Sequence, residues 1–253
     1  MGTVNESHNN TQILELLKND NEYYSGIGKN YLSNSDIDTL LKNPKEFGKP
    51  REDNKVFAEG RYFHQSILEP EKVKDVKFVD VSTRTTKEYK EFCIANNIPF
   101  CLLKKEIDEV KNLVSIINSN ISFFEEIYKK GNQYEVPAVG EILGMMWKGK
   151  ADIITDECVI DLKTTSDIHK FKWNAKNYNY DSQCYIYQKL FKKPLVFFVI
   201  DKTTGVLAIF KPTDEFVNGG ELKVARAIDM YQRYFSESPS DNIENYYIDE
   251  FLY

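Results

Sequence analysis

The hydrophobic positions of this chain change period near residue 131. Before it they recur at helical spacing. Ser33-Asn34-Ser35-Asp36 places a serine three residues ahead of an acid, the pattern of a capping box, and Ile37, Leu40 and Leu41 follow it up to Pro44. That predicts a helix ending before the proline. Residues 55–68 read as a second helix with Phe57, Gly60, His64, Ile67 and Leu68 on one face, closed by Pro70. Lys74 to Val81 alternates as a strand does, and helices are predicted near 86–96 and, long and amphipathic, near 104–130. Beyond the change the pattern predicts strands at 132–140, 144–154 and 158–163, a helix near 174–192, and strands at 195–201 and 205–211 joined through Gly205. A last helix is expected over 217–235. Strand-strand-strand-helix-strand is the order of a mixed sheet with a crossover helix. The expected fold is α/β: a mixed sheet core with flanking helices and a helical N-terminal half. One domain is expected over residues 13–253, with a helical wall at 30–130, a core at 131–212 and a C-terminal helix and tail at 213–253; residues 1–12 are polar and expected to be disordered.

The strand region carries the chemistry. In Gly149 to Thr165 (GKADIITDECVIDLKTT), Asp152 precedes Asp161, and Lys163 follows the latter by two. Two residues apart on a strand is the same face. The turn Thr155-Asp156-Glu157 can fold Cys158, Val159 and Ile160 back on the Asp152 segment, which brings Asp152 and Asp161 together. Neighbouring carboxylates repel unless a cation joins them, and Mg²⁺ prefers carboxylate oxygens. A Lewis acid, an activated water and a lysine for developing charge are what phosphodiester hydrolysis needs. Acid-x-Lys alone is a weak signal: it also occurs at Asp53/Lys55, Asp75/Lys77, Glu88/Lys90, Glu109/Lys111 and Glu221/Lys223. Only Asp161 follows an apolar strand that a turn can pair with another acid. The competing reading is a surface hairpin with incidental charges.

Composition narrows the setting. In 253 residues, 42% hydrophobic and 13% aromatic, there is enough to bury a core. No run approaches the ~18 apolar residues of a membrane span, and the N-terminus lacks the basic start and apolar stretch of a signal peptide. A cytoplasmic protein, or a phage protein acting in a cytoplasm, is expected. The four cysteines, Cys93, Cys101, Cys158 and Cys184, are scattered, which argues against zinc, disulfides or an iron–sulfur cluster. A net charge of −6 disfavours a polyanion partner until its distribution is considered. Residues 236–253 hold acids and no Lys or Arg, whereas Lys163, Lys170, Lys172 and Lys176 face only Asp167 in the stretch after the motif. Local potential governs attraction, so Lys170 and Lys172 are candidate DNA contacts. Arg84 is another, because guanidinium matches phosphate geometry; an ordinary surface arginine is its alternative.

Several blocks resemble the PD-(D/E)xK nuclease superfamily, and within it the exonuclease VIII and lambda-exonuclease group of recombination exonucleases. Tyr31 to Phe47 is similar to that group's opening helix, Phe57 to Pro70 to its Gly-x-x-x-His segment ending Leu-Glu-Pro, and Val79 to Phe92 to its Arg-Thr segment. Lys148 to Asp152 (KGKAD) stands where the group writes Lys-Gly-Arg-Pro-Asp, with Ala151 for the proline; Asp161 to Thr165 matches closely; and Asp181 to Tyr187 holds its Gln-x-x-x-Tyr pair. The resemblance covers roughly residues 30–210.

The resemblance implies a Mg²⁺-dependent deoxyribonuclease, with Mn²⁺ able to substitute, acting 5′→3′ on ends of linear double-stranded DNA; an endonuclease or single-strand exonuclease on the same core, or a DNA-binding module whose catalytic site has decayed, is the alternative. It further implies a homo-oligomer that supplies a single-strand annealing protein. Asp152, Asp161 and the Leu162 carbonyl become expected metal ligands. Glu135 becomes the further acid, holding a second ion or its water, or else a rim glutamate salt-bridged to a lysine, with Glu141 the less favoured candidate. Lys163 is expected to orient the attacking water or offset charge on phosphorus, with a pKa lowered by nearby cations. His64 is either a metal or phosphate contact or a packed core histidine. Gln183 and Tyr187, one turn apart on a helix, either position the scissile strand or Lys163 or form a polar helix edge. The aromatic tail, Tyr246, Tyr247, Phe251, Leu252 and Tyr253, reads as a subunit or partner contact or as a mobile end.

Overall fold

The structure, a computed structural model, describes residues 10–50, 52–249 and 251. The expectation of disorder for residues 1–9, and the tail residues Leu252 and Tyr253, lie outside the described residues.

Five strands form one mixed sheet in the order of the chain: β3 (Gln133–Ile142), β4 (Met145–Ile154), β5 (Val159–Thr165), β6 (Leu195–Asp201) and β7 (Leu207–Phe210). The β3–β4, β4–β5 and β6–β7 pairs are antiparallel and β5–β6 is parallel. A parallel pair needs a crossover; here it runs through α8 (Phe171–Asn174) and α9 (Tyr180–Phe191).

Both faces of the sheet are covered. On one side α3 (Asn34–Lys42), α9 and α10 (Asp214–Tyr234) pack Ile37, Leu40, Cys184, Ile186, Val224 and Ala227 against Trp147, Val159, Phe197 and Val199. On the other, α4 (Lys55–Leu68), α6 (Lys104–Ser119) and α7 (Ile121–Ile127) pack Phe63, Ile67, Ile107, Leu113 and Ile127 against Ile160, Leu162, Phe198 and Ile200. Neighbouring residues of β5 and β6 thus go to opposite cores, as the two-residue period requires. Helix α10 approaches α9 closely at Gly220, where an added Cβ would sit 2.1 Å from the Asp181 carbonyl oxygen.

Local chemistry explains most element boundaries. The Ser33–Asp36 capping box opens α3 as expected. The expected helix at 104–130 divides, because the Asn120 side chain leaves the first helix and accepts from the Phe123 N–H to start α7. The expected helix at 174–192 divides too: Asn179 turns left-handed (φ 58) before α9 begins. The strand expected at Lys74 to Val81 contracts to β1 (Phe78–Val79), paired with β2 (Leu102–Leu103). On α4 the buried residues are Ala58, Tyr62, Phe63, Ile67 and Leu68 and Phe57 is exposed, so the expected face keeps Ile67 and Leu68 and loses Phe57. Residues 10–12, expected to be disordered, begin α1 (Asn10–Leu16), and a second short helix, α2 (Asp20–Tyr24), follows. Among the described residues no helix is long and apolar enough to cross a membrane.

Candidate active site

The antiparallel ladder between β4 and β5 lasts only two pairs, Ile154 with Val159 and Ile153 with Ile160. Beyond them the strands part. Asp152 occupies the fork: its Oδ2 accepts the Leu162 N–H at 2.7 Å, a side chain standing in for a main-chain partner. Because N–H and C=O of one strand residue face the same neighbour, the Leu162 carbonyl also looks toward this fork.

The β3–β4 ladder is interrupted at the same level. Tyr134 pairs with Ile153 and Val136 with Ala151, and between them Glu135 lies opposite Asp152 in a left-handed backbone conformation (φ 51). Ala151 packs into one core and Ile153 into the other, so strict alternation slips at Asp152. A left-handed non-glycine residue costs on the order of 1–3 kcal/mol and persists only where the surrounding structure holds it.

His64 arrives from α4, with Nδ1 3.2 Å from Asp152 Oδ2. His64, Glu135 and Asp152 each offer one ligand atom within 4.8 Å of the others, a group that can hold a metal ion. Asp161 lies outside that trio. On the next strand it is buried, accepting from Gln183 Nε2 at 2.6 Å through Oδ1 and pairing through Oδ2 with Lys163 Nζ at 2.5 Å. The geometry of that contact satisfies no hydrogen bond to Oδ2, which is left a buried oxygen with only an ionic partner. An oxygen-rich donor set with one imidazole and an under-coordinated buried carboxylate fits Mg²⁺ or Mn²⁺.

The charges of the site push against one another. Burial and the nearby Asp152 raise the Glu135 carboxyl to about 7. Burial also raises Asp161, with Asp152 adding to the shift against the opposing pull of Lys163. Burial works against the charged form of Asp152 as well, but His64 beside it holds it below its ordinary value. His64 in turn is raised, the attraction of Asp152 outweighing its own burial. Burial favours the neutral form of Lys163, yet the adjacent Asp161 and Tyr180 raise it above the ordinary lysine value.

The remaining candidates separate. Gln183 is buried against Asp161, and Tyr187, also buried, donates from its hydroxyl to the Lys150 carbonyl at 2.8 Å, bracing the strand that carries Asp152. Lys170 pairs with Asp167 at 3.0 Å and Lys172 lies 4.8 Å from the Trp173 ring, both on the exposed segment after β5. Glu141 pairs with Met146 far along the β3–β4 ladder from Asp152. Arg84 is engaged elsewhere: it donates to both oxygens of Glu106, one at 2.9 Å, and lies over the Phe100 ring.

Burial raises Glu106, but the Arg84 hydrogen bonds hold it below its ordinary value. This pair therefore contributes stability above the ordinary glutamate pKa and loses it as pH falls through the lower folded value. Arg84→Met should cost ~1–3 kcal/mol near neutral pH by leaving the buried Glu106 carboxylate with only the Leu103 N–H and Lys55 as partners, and the deficit should shrink in acid. Urea midpoints at pH 7 and pH 4 check this; an unchanged midpoint with weakened DNA binding would return Arg84 to phosphate contact.

Three neighbours were not singled out from sequence. Tyr180 places its ring 5.1 Å from Lys163 Nζ. Lys150 joins Asp20 at 2.7 Å and lies 3.9 Å from Glu135. Asp20 also reaches Lys72 at 3.0 Å. Lys150 had a legible signal, since it lies two residues before Asp152 on one strand; Tyr180 and Asp20 had none.

A mixed sheet whose central strands part around two aspartates, with a lysine two residues after the second, defines the PD-(D/E)xK class of folds. The chain belongs to the family described as "PDDEXK-like domain of unknown function (DUF3799)", whose model matches residues 32–239. No curated protein matches it. Among solved structures, a protein from Eubacterium rectale described as a "Putative exonuclease" superposes over 93% of this chain and 96% of its own, with 19% identity and a TM-score of 0.61, which shows a shared fold. A second, SSO0001, aligns over 81% of this chain and 86% of its own at 18% identity, but its TM-score of 0.32 carries no argument.

Proposed function

We propose that this protein is a metal-dependent deoxyribonuclease, and that it digests linear double-stranded DNA from its ends. The convergence of Asp152, Asp161, Lys163, Glu135 and His64 at the β4–β5 fork carries the reading. His64, Glu135 and Asp152 would hold a divalent ion, and the Asp161 carboxylate and the Leu162 carbonyl would complete its ligand set. Mg²⁺ is the expected ion and Mn²⁺ its substitute; bound there, it supplies a Lewis acid and lowers the pKa of a coordinated water. Gln183 fixes the Asp161 carboxylate, Tyr187 braces β4 through the Lys150 carbonyl, and Lys163 presents a positive charge to the phosphate as negative charge develops on it. Lys170 and Lys172 draw the backbone in.

The exonuclease assignment is supported by the order of the sequence blocks and by the description of the Eubacterium rectale neighbour. A 5′→3′ direction, a 3′ overhang handed to an annealing protein, and a homo-oligomer around the duplex belong to the same proposal. End-labelled linear duplex should be degraded in Mg²⁺, and EDTA should abolish the reaction. Covalently closed circles should survive. Comparable rates on circles would make the protein an endonuclease, and undiminished digestion in EDTA would remove the metal mechanism.

A further inference from the structure

The segment between β5 and α9 carries three aromatic rings that reach its surface, and two of them, Tyr180 and Tyr178, lead away from Lys163. Tyr180 lies against the Lys163 ammonium, and Tyr178 lies beside Tyr180, with ring centroids 5.8 Å apart and planes tilted by 39°. Tyr180 itself is held from behind by Phe171 and Phe197, at 5.5 and 5.2 Å, so its position is fixed by the core. Tyr178 is 63% exposed and Trp173 is 71% exposed. Each ring therefore keeps most of its surface open to water, with Tyr180 beside Tyr178 and Lys172 over Trp173.

Their surroundings are basic. Residues 166–180 contain Lys170, Lys172 and Lys176 against one acid, Asp167. Lys172 stacks over Trp173, Lys176 is exposed, and Asp167 is spent on Lys170. Exposed rings interleaved with lysines match a flexible polyanion with flat faces. They do not match the apolar surface of a protein, which would leave the lysines desolvated and unpaired.

We propose that this segment is a binding path for a single-stranded stretch of DNA, its bases stacking on Tyr178 and Trp173 while Lys172 and Lys176 meet the flanking phosphates. The proposal rests on the nuclease reading for its orientation, because Tyr180 joins the path to Lys163. Stacking on aromatic side chains holds any base, since every base has a π-face, and contributes ~1–3 kcal/mol for each. A duplex keeps its faces stacked internally and offers only its frayed or unwound end. The path therefore selects unpaired nucleotides at the point where the chain meets the catalytic lysine.

The protein contains its own probe. Of its two tryptophans, Trp147 is 0% exposed and Trp173 stands on the path. Titrating the full-length protein with oligo(dT) in EDTA should quench tryptophan emission in a saturable way, and the quenching should vanish in Trp173→Phe. Tyr178→Ala should weaken single-strand affinity about tenfold, with a circular dichroism spectrum and melting temperature like the wild type. Blunt duplex binding should change less than threefold. Added salt should weaken the single-strand complex steeply as counterions are released. Oligo(dT) binding that leaves Trp173 emission unchanged, or Tyr178→Ala binding as the wild type does, would overturn the path. So would mutation of Tyr178 or Trp173 abolishing self-association in sedimentation while single-strand affinity stays constant, since the rings would then seat a second copy. Digestion of end-labelled duplex in Mg²⁺ by the wild type reads the nuclease separately. Cleavage without quenching rejects the path alone, and quenching without cleavage rejects the nuclease alone.

Discussion

Asp152→Asn should reduce DNA cleavage by at least ~10³-fold, the equivalent of roughly 4 kcal/mol of transition-state stabilisation, while the protein stays folded. The substitution keeps an oxygen able to accept the Leu162 N–H, so the fork is retained. What it removes is the charge that a cation needs and that His64 now balances. Lys163 requires more care. Lys163→Ala should lose cleavage by ~10²–10⁴-fold, but it also strips the buried Asp161 of its ionic partner, leaving an oxygen with none. That variant should therefore be less stable at neutral pH and recover in acid as Asp161 takes up a proton. Cleavage rates compared with urea midpoints separate the two effects. Near-normal cleavage by folded Asp152→Asn would end the assignment.

Glu135→Gln should lose activity yet gain stability in EDTA. The Glu135 carboxyl is raised from an ordinary 4.5 to about 7, first by burial and then by Asp152. An acid raised on folding holds its proton in the folded state after the unfolded chain has released it. Wild-type stability should thus decline as pH rises from about 4.5 to about 7 and then level off, a change on the order of 1–3 kcal/mol. Glu135→Gln should lack this part of the decline and melt above the wild type at pH 8. Adding Mg²⁺ should reverse the order, because only the wild type keeps the full set of charges that binds it. Calorimetry at pH 5 and pH 8, with and without Mg²⁺, reads all four conditions; identical melting in EDTA at pH 8 would place Glu135 outside the cluster.

How much of this could be read from sequence depended on whether the determining contact was local. The capping box at Ser33 and the turn at Thr155 act over a few residues, so α3 and the β4–β5 hairpin follow from the text of the chain. Asp161 and Lys163 share a strand face for the same reason. The breaks at Asn120 and Asn179 were not visible, because a polar residue in a long helical run is equally at home on a solvated face or as a cap. The left-handed turn of Glu135 was hidden altogether: nothing near it in sequence demands φ 51, and only the fork beyond it makes sense of it. Arg84 misled because an arginine in a polar turn gives no sign of Glu106, which comes from α6.

The residues gathered at the fork span the chain from His64 to Gln183. The strand carrying Asp161 and Lys163 is secured on its far side only by β6, whose pairing begins at Val159 with Leu195 and must wait for the whole crossover. Long-range parallel pairing is the slow step of such folds, since loop-closure entropy is spent before contacts repay it. The centre is consequently among the last features to exist as the chain is made. A nascent or truncated product ending before Leu195 holds the aspartates, the lysine and Gln183 without the strand that sets them in place, and so carries no working site. Under the proposed nuclease function, production of the protein is by this topology silent until the polypeptide is long enough to close its own sheet.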